Sequence, residues 1–166
     1  LGNLNLQGLV CGFDFHFGYK GSGNVQFLQD NAPYEICVVS AVEDEQGKIS
    51  STRITKCIEQ GHMEEANRLL GSPFCMEGKV IHGKKRGTDM GFPTANVQVS
   101  DEYIIPRNGV YAGKIHVGRK SYGCMINIGL NPTFHDVDAI SLEANIFDFH
   151  EDIYGQVVSV DFLKFI

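Results

Sequence analysis

At 166 residues, with 43% hydrophobic and 20% charged residues, the chain can bury one good core or two small ones. A formal net charge of −6 argues against a general nucleic-acid binder, which presents a basic stripe to phosphates. No apolar run approaches the roughly 20 residues that span a bilayer and no basic-then-apolar leader opens the chain, so the expectation is a globular, cytoplasmic protein with neither a membrane nor a nucleic-acid partner.

Taken in chain order, residues 1–72 read as mixed α/β. The runs 6–17 and 34–42 are short, rich in Val, Ile, Cys and Phe, and bounded by Gly, Asn and Pro, which predicts two buried strands with the loop GYKGSGN between them. In SSTRITKCIEQ a serine N-cap precedes Ile54 and Ile58, so a helix is expected from near Ser51 to Gly61. A second helix in HMEEANRLLG puts Met63, Ala66, Leu69 and Leu70 on one side, with Gly71 as its C-cap. The GSP at 71–73 marks a boundary, beyond which the helical period disappears. GVYAGKIHV and SYGCMINIG flank GRK, read as a three-residue hairpin loop in which Gly118 supplies positive φ. SLEANIFDF and QVVSVDFLKFI follow, separated by the turn-like HEDIYG. Five or six antiparallel strands in so short a stretch predict a small closed barrel, since closure removes exposed edges.

Several residues could carry chemistry. In GKKRGTDMGFPTAN, Gly83, Gly87 and Gly91 surround Lys84, Lys85 and Arg86. Spaced glycines let backbone N–H groups turn inward and make a concave anion site, and the cations add attraction. The stretch matches neither GxxxxGK[ST] nor GxGxxG, and a solvated glycine hairpin explains it equally well. Charge is uneven along the chain: residues 121–163 carry acids and no Lys or Arg, which suits a small anionic ligand, with a divalent metal, meeting one basic loop. Pro93 fixes the backbone beside Thr94 and Asn96, two hard oxygen donors of the kind Mg²⁺ requires, or else a simple turn cap. In SLEANIFDF, alternation puts Ile140, Leu142, Ala144 and Ile146 on one face and Glu143, Asn145, Phe147 and Phe149 on the other. That makes Glu143 a candidate general base next to aromatic surface, or a solvated strand glutamate. KISSTRIT places Ser50, Ser51 and Arg53 at a helix start that attracts phosphate, and VCGFDFHFGYKGSGN could seat a flat ligand; each also has an ordinary structural explanation. Cys11, Cys37, Cys57, Cys75 and Cys124 contain no CxxC pair and are read as reduced packing residues, and the histidines show no HExxH spacing.

Together and in order, GFDFHFG, KISSTRI, ANRLLGSPF, GKVIHGKKRGTDMGFPTAN, GVYAG, NIGLNPTF, LEANIFDF and DIYGQ resemble the prokaryotic bifunctional riboflavin kinase and FMN adenylyltransferase, or FAD synthetase, family. The resemblance implies an α+β chain: part of a Rossmann-like α/β nucleotidyltransferase domain over 1–72, then a six-stranded antiparallel Greek-key barrel over 73–166. It implies transfer of the ATP γ-phosphate to the riboflavin 5′-hydroxyl, with ATP and riboflavin as substrates, Mg²⁺ as cofactor, and FMN and FAD as the products of the two activities. On matching positions Glu143 would be the base and Thr94 and Asn96 the metal ligands. ATP and its phosphates would meet Gly83, Lys84, Lys85, Arg86, Gly87, Gly91 and Asn96 in the kinase part, and Ser50, Ser51 and Arg53 in the other. Flavin would meet Phe13, Asp14, Phe15 and Phe147. Against that family the chain opens partway into the first domain, without an HxGH-type segment, and stops before an Arg- and Glu-containing helix. His16 stands where arginine is common and Asn145 where histidine is common. Rival readings are FMN adenylyl transfer and a non-catalytic flavin- or nucleotide-binding module; a homo-oligomer is compatible with either.

Overall fold

The computed structural model describes residues 6–82, 94–132 and 138–166. The glycine loop with Gly83, Lys84, Lys85, Arg86, Gly87 and Gly91 therefore lies outside the described residues. The chain divides into two compact units, Leu1–Ile49 and Ser50–Ile166.

In the first unit, strands β1 (Gly8–Gly12) and β4 (Glu35–Val39) pair in parallel, Gly8 opposite Glu35 and Gly12 opposite Val39. Between them come β2 (His16–Phe17), a 3₁₀ turn (Tyr19–Gly21), β3 (Gly23–Asn24) and helix α1 (Val25–Asn31). The short strands β5 (Glu43–Asp44) and β6 (Gly47–Lys48) close the unit. The two long strands stand where they are expected, but they are not buried: of their residues only Cys11 is, while Val10 and Val39 are exposed. A parallel pair hides both faces only when further strands and helices cover it. Helix α1 has no counterpart among the expected elements. Its signal is Asn24, whose Oδ1 accepts from the Phe27 N–H at 2.9 Å as an N-cap does.

The second unit begins with α2 (Ser51–Gln60) and α3 (Met63–Leu70). Ser50 caps α2 by accepting from the Arg53 N–H at 3.3 Å, and Gly61 and Gly71 end the two helices at φ 79 and 76, as the αL cap requires. Met63, Ala66 and Leu69 are buried, whereas Leu70, expected on the same side, is exposed. Six strands follow: β7 (Phe74–Ile81), β8 (Thr94–Val99), β9 (Gly109–Val117), β10 (Lys120–Pro132), β11 (Asp138–Ile146) and β12 (Val157–Phe165). They close into a barrel in the order β10-β11-β8-β7-β12-β9, every pairing antiparallel. Consecutive strands β8 and β9, and β11 and β12, are not paired with each other, as Greek-key winding demands. The β9–β10 hairpin turns on two residues, not three: Gly118, at φ 58, and Arg119. Positive φ at the first of two loop residues fits a type II′ turn, whose twist matches the strands.

Alternation fills the barrel. Met76, Ile115, Ile126, Ile128, Leu142, Ala144, Val158, Val160 and Phe162 point inward and are nearly inaccessible. Tyr111 meets Phe162 and Phe165 edge-on, at centroid distances of 5.2 and 5.1 Å, and its hydroxyl donates to the Arg107 carbonyl. Burial pushes the Tyr111 phenol up to about 12. Gly113 faces Phe162 across the ladder, and a Cβ there would collide with the Ile126 side chain and the Asp161 carbonyl. Asn67 of α3 joins helix to barrel with both ends of its amide: Nδ2 donates to the Phe162 carbonyl at 2.8 Å and Oδ1 accepts from the Phe74 N–H at 2.7 Å. Among the described residues every cysteine is free; Cys11, Cys57 and Cys124 are buried, but Cys37 is exposed, so the packing reading fails there because β4 lacks cover. No helix among the described residues is long and apolar enough to cross a membrane.

Candidate active site

Strand pairing alone assembles a polar group on the outer wall of the barrel. Because Leu142, Ala144 and Ile146 of β11 are buried, Glu143 and Asn145 must face outward. The same parity on β8, where Ala95 and Val97 are buried, turns Thr94 and Asn96 outward, and on β10 it turns out Met125 and Asn127. The register then sets Glu143 directly between Asn96 of β8 and Asn127 of β10. One rung along, Asn145 lies between Thr94 and Met125. Cross-strand neighbours stand about 4.5–5.5 Å apart at Cβ, so carboxylate, amides and hydroxyl share one small patch. Ser141 extends it by donating from Oγ to Glu143 Oε1 at 3.3 Å.

Phe147 follows on the same wall and is exposed, and its ring lies over Gly123, where a Cβ would come within 3.3 Å of Cδ2. Phe149 does not share that face. The strand ends at Ile146, Asp148 adopts φ 53, and the reversal buries Phe149 edge-on against Tyr122 at 4.9 Å. Glu143 therefore has one aromatic neighbour along its strand where two are expected.

A cavity of about 350 Å³ opens beside the patch. Val80, Ala95, Ile146, Ile153 and Tyr154 give it apolar walls, Glu151 and Asp152 give it carboxylates, and Thr94 belongs to both cavity and patch. The turn that walls it is anchored to β7, since Gly155 donates to the Val80 carbonyl and Val80 to the Gln156 carbonyl, each at 2.9 Å. Lys120 adds an ion pair to Glu151 at 3.5 Å, and Tyr154 stacks on His82 at 3.9 Å between centroids. Sequence reasoning took HEDIYG for a plain turn and missed this wall; the available signal was Ile153 and Tyr154, apolar surface in a segment that should otherwise be polar.

The remaining candidates stand elsewhere. Ser50 and Ser51 sit at the start of α2, where the Ser50 hydroxyl serves as cap, and the Arg53 guanidinium donates to Glu65 Oε1 at 3.1 Å. In the first unit, Lys48 binds Asp14 Oδ2 at 2.5 Å and lies over the Phe13 ring at 4.4 Å, while Phe15 stacks on Phe17 at 5.9 Å. The hydrogen bond from Lys48 holds the Asp14 carboxyl below its usual range. No group of three metal-ligating side chains of the His, Cys, Asp or Glu kind occurs among the described residues.

Barrel and patch define a class: a small closed antiparallel barrel carrying a carboxylate, amides and a hydroxyl on its outer wall, next to a cavity with apolar walls and two carboxylates. A riboflavin kinase family model matches residues 70–166, and an FAD synthetase model matches residues 1–53. The bifunctional riboflavin kinase/FMN adenylyltransferase of Listeria monocytogenes is 43% identical over 98% of this chain and 52% of its own length. Its namesake in Bacillus subtilis is 40% identical over 97% of this chain and 52% of its own length. A crystal structure titled macrolide-efflux protein, from Streptococcus pneumoniae, superposes with a TM-score of 0.85 at 42% identity, covering 93% of this chain and 50% of that one. The chain belongs to the riboflavin kinase family. It spans about half the length of the curated relatives it matches.

Proposed function

We propose that this chain is the riboflavin kinase part of a bifunctional FAD synthetase and transfers the ATP γ-phosphate to the riboflavin 5′-hydroxyl. The observation that carries the reading is the double position of Thr94, which lines the cavity and stands one rung from Glu143. A base fits the cavity: its faces meet Ile153 and Tyr154, and an exocyclic amine can donate to Glu151 or Asp152. The triphosphate then runs toward Thr94 and Asn96. Thr94 Oγ1 and Asn96 Oδ1 would hold Mg²⁺, a hard cation that prefers such oxygens and neutralises phosphate charge. Riboflavin lies along the outer wall beside Phe147, with its 5′-hydroxyl at Glu143. The carboxylate accepts the hydroxyl proton as the new O–P bond forms and ADP departs, while positioning supplies most of the acceleration. The division at 72/73 belongs to the same proposal, with residues 1–72 assigned to the adenylyltransferase part, although α2 and α3 pack with the barrel.

The test is incubation with riboflavin, ATP and Mg²⁺ and separation of the flavins. FMN is the expected product, and absence of any phosphorylated flavin overturns the reading. A second reading, adenylyl transfer to FMN, is favoured by the FAD synthetase match at 1–53 and would appear as FAD. Thr94→Ala is expected to raise the Mg²⁺ needed for half-maximal rate roughly tenfold or more, by analogy with the cost of weakened metal sites. An unchanged metal titration removes Thr94 from the ligand set.

A further inference from the structure

We propose that Ser141 is a positioning residue that sets the working rotamer of Glu143; the inference rests on the reading of Glu143 as general base. A glutamate on an outer barrel wall has three rotatable bonds and, without a partner, sweeps through many orientations. A base must instead hold one oxygen within hydrogen-bond reach of the hydroxyl it deprotonates.

The strand supplies the partner. Ser141 and Glu143 are two residues apart on β11, so both face outward, and Ser141 Oγ donates to Glu143 Oε1 at 3.3 Å. Among the described residues this is the one side-chain hydrogen bond made to the Glu143 carboxylate, and Oε2 is left to accept from a substrate. Packing does not impose the arrangement. The residue opposite Ser141 on β10 is Gly129, and a Cβ built there meets nothing within 4 Å among the described residues. Ser141 is half-buried but meets no side chain at its partner position on β10, and its hydroxyl turns to the carboxylate through the hydrogen bond without a wedge from that strand. Asn96 and Asn127 flank Glu143 in register, and among the described residues neither makes a side-chain hydrogen bond to it, which leaves Ser141 as the anchor and the amides to face the ligand.

Loss of the anchor should cost rate and leave affinity intact, since small misplacements of a reacting group lower rates by large factors. Ser141→Ala is expected to lower kcat for FMN formation about tenfold, with KM for ATP and riboflavin changed less than twofold and the unfolding midpoint unchanged. Ser141→Thr, which keeps the hydroxyl on a strand-compatible side chain, is expected to restore most of the rate. In a Glu143→Gln background, Ser141→Ala should cause no further loss, because two residues acting as one unit are not additive. An equal loss in both backgrounds, failure of threonine to restore the rate, or wild-type kcat in Ser141→Ala overturns the positioning role while Glu143 stands. Wild-type turnover in Glu143→Gln alone removes the base itself, and the inference with it.

Discussion

Replacing Glu143 by glutamine is expected to slow FMN formation roughly 10²- to 10⁴-fold, the range general-base assistance supplies, while ATP binding persists. The substitution is chosen for what it preserves. Glutamine has the same length and retains a carbonyl oxygen that can accept from Ser141, and the residue lies on the outer wall, away from the buried Leu142 and Ala144 on either side of it. What disappears is the ability to take a proton. Asn96 and Asn127, its partners across the ladder, offer no replacement, since an amide is not a base at neutral pH. Steady-state turnover measured beside a nucleotide-binding titration separates the two effects. Unaltered turnover would show that proton transfer is managed elsewhere and that the carboxylate is a bystander of the fold.

Phe162→Ala is expected to lower stability by about 3–5 kcal/mol, the usual cost of deleting a buried aromatic ring. Phe162 is fully buried, with Tyr111 edge-on at 5.2 Å and Phe74 at 5.8 Å, so three strands of the barrel lose contacts at once. Collapse around the hole is restricted: Gly113 already brings the backbones of β9 and β12 close, and the Phe162 carbonyl is held by Asn67. At roughly 2–4 °C per kcal/mol for a chain of this size, the thermal midpoint should fall by about 10 °C. A midpoint within about 2 °C of the wild type would mean that the ring's neighbours repack freely and that the barrel core is looser than its burial indicates.

The barrel was legible because its strands alternate cleanly and its turns are marked by Gly and Pro. SLEANI states its own inside and outside, and the outward positions of Thr94, Asn96 and Glu143 follow from parity once neighbouring residues are buried. Which outward residues meet was not legible, because register depends on pairings between β8 and β11 that skip strands in sequence. The cavity wall was missed for a related reason: Phe149 and Ile153 lie beyond the strand, where no period announces burial, and a single backbone reversal at Asp148 decides which way Phe149 points. In the first unit, strand type was readable from composition, but burial was not, since it depends on covering elements that β1 and β4 do not themselves encode. The αL residues Gly61 and Gly71 were the most transparent signals of all.

The two-ended amide of Asn67 bears on how this architecture can be cut and recombined. Helical periodicity ends near residue 72, and the kinase family match starts at residue 70, yet the side chain that ties the first barrel strand to the last belongs to the helix before both. A gene fusion joined after Asn67 would therefore inherit a barrel whose first and last strands keep their ladder but lose the amide that clamps them from outside.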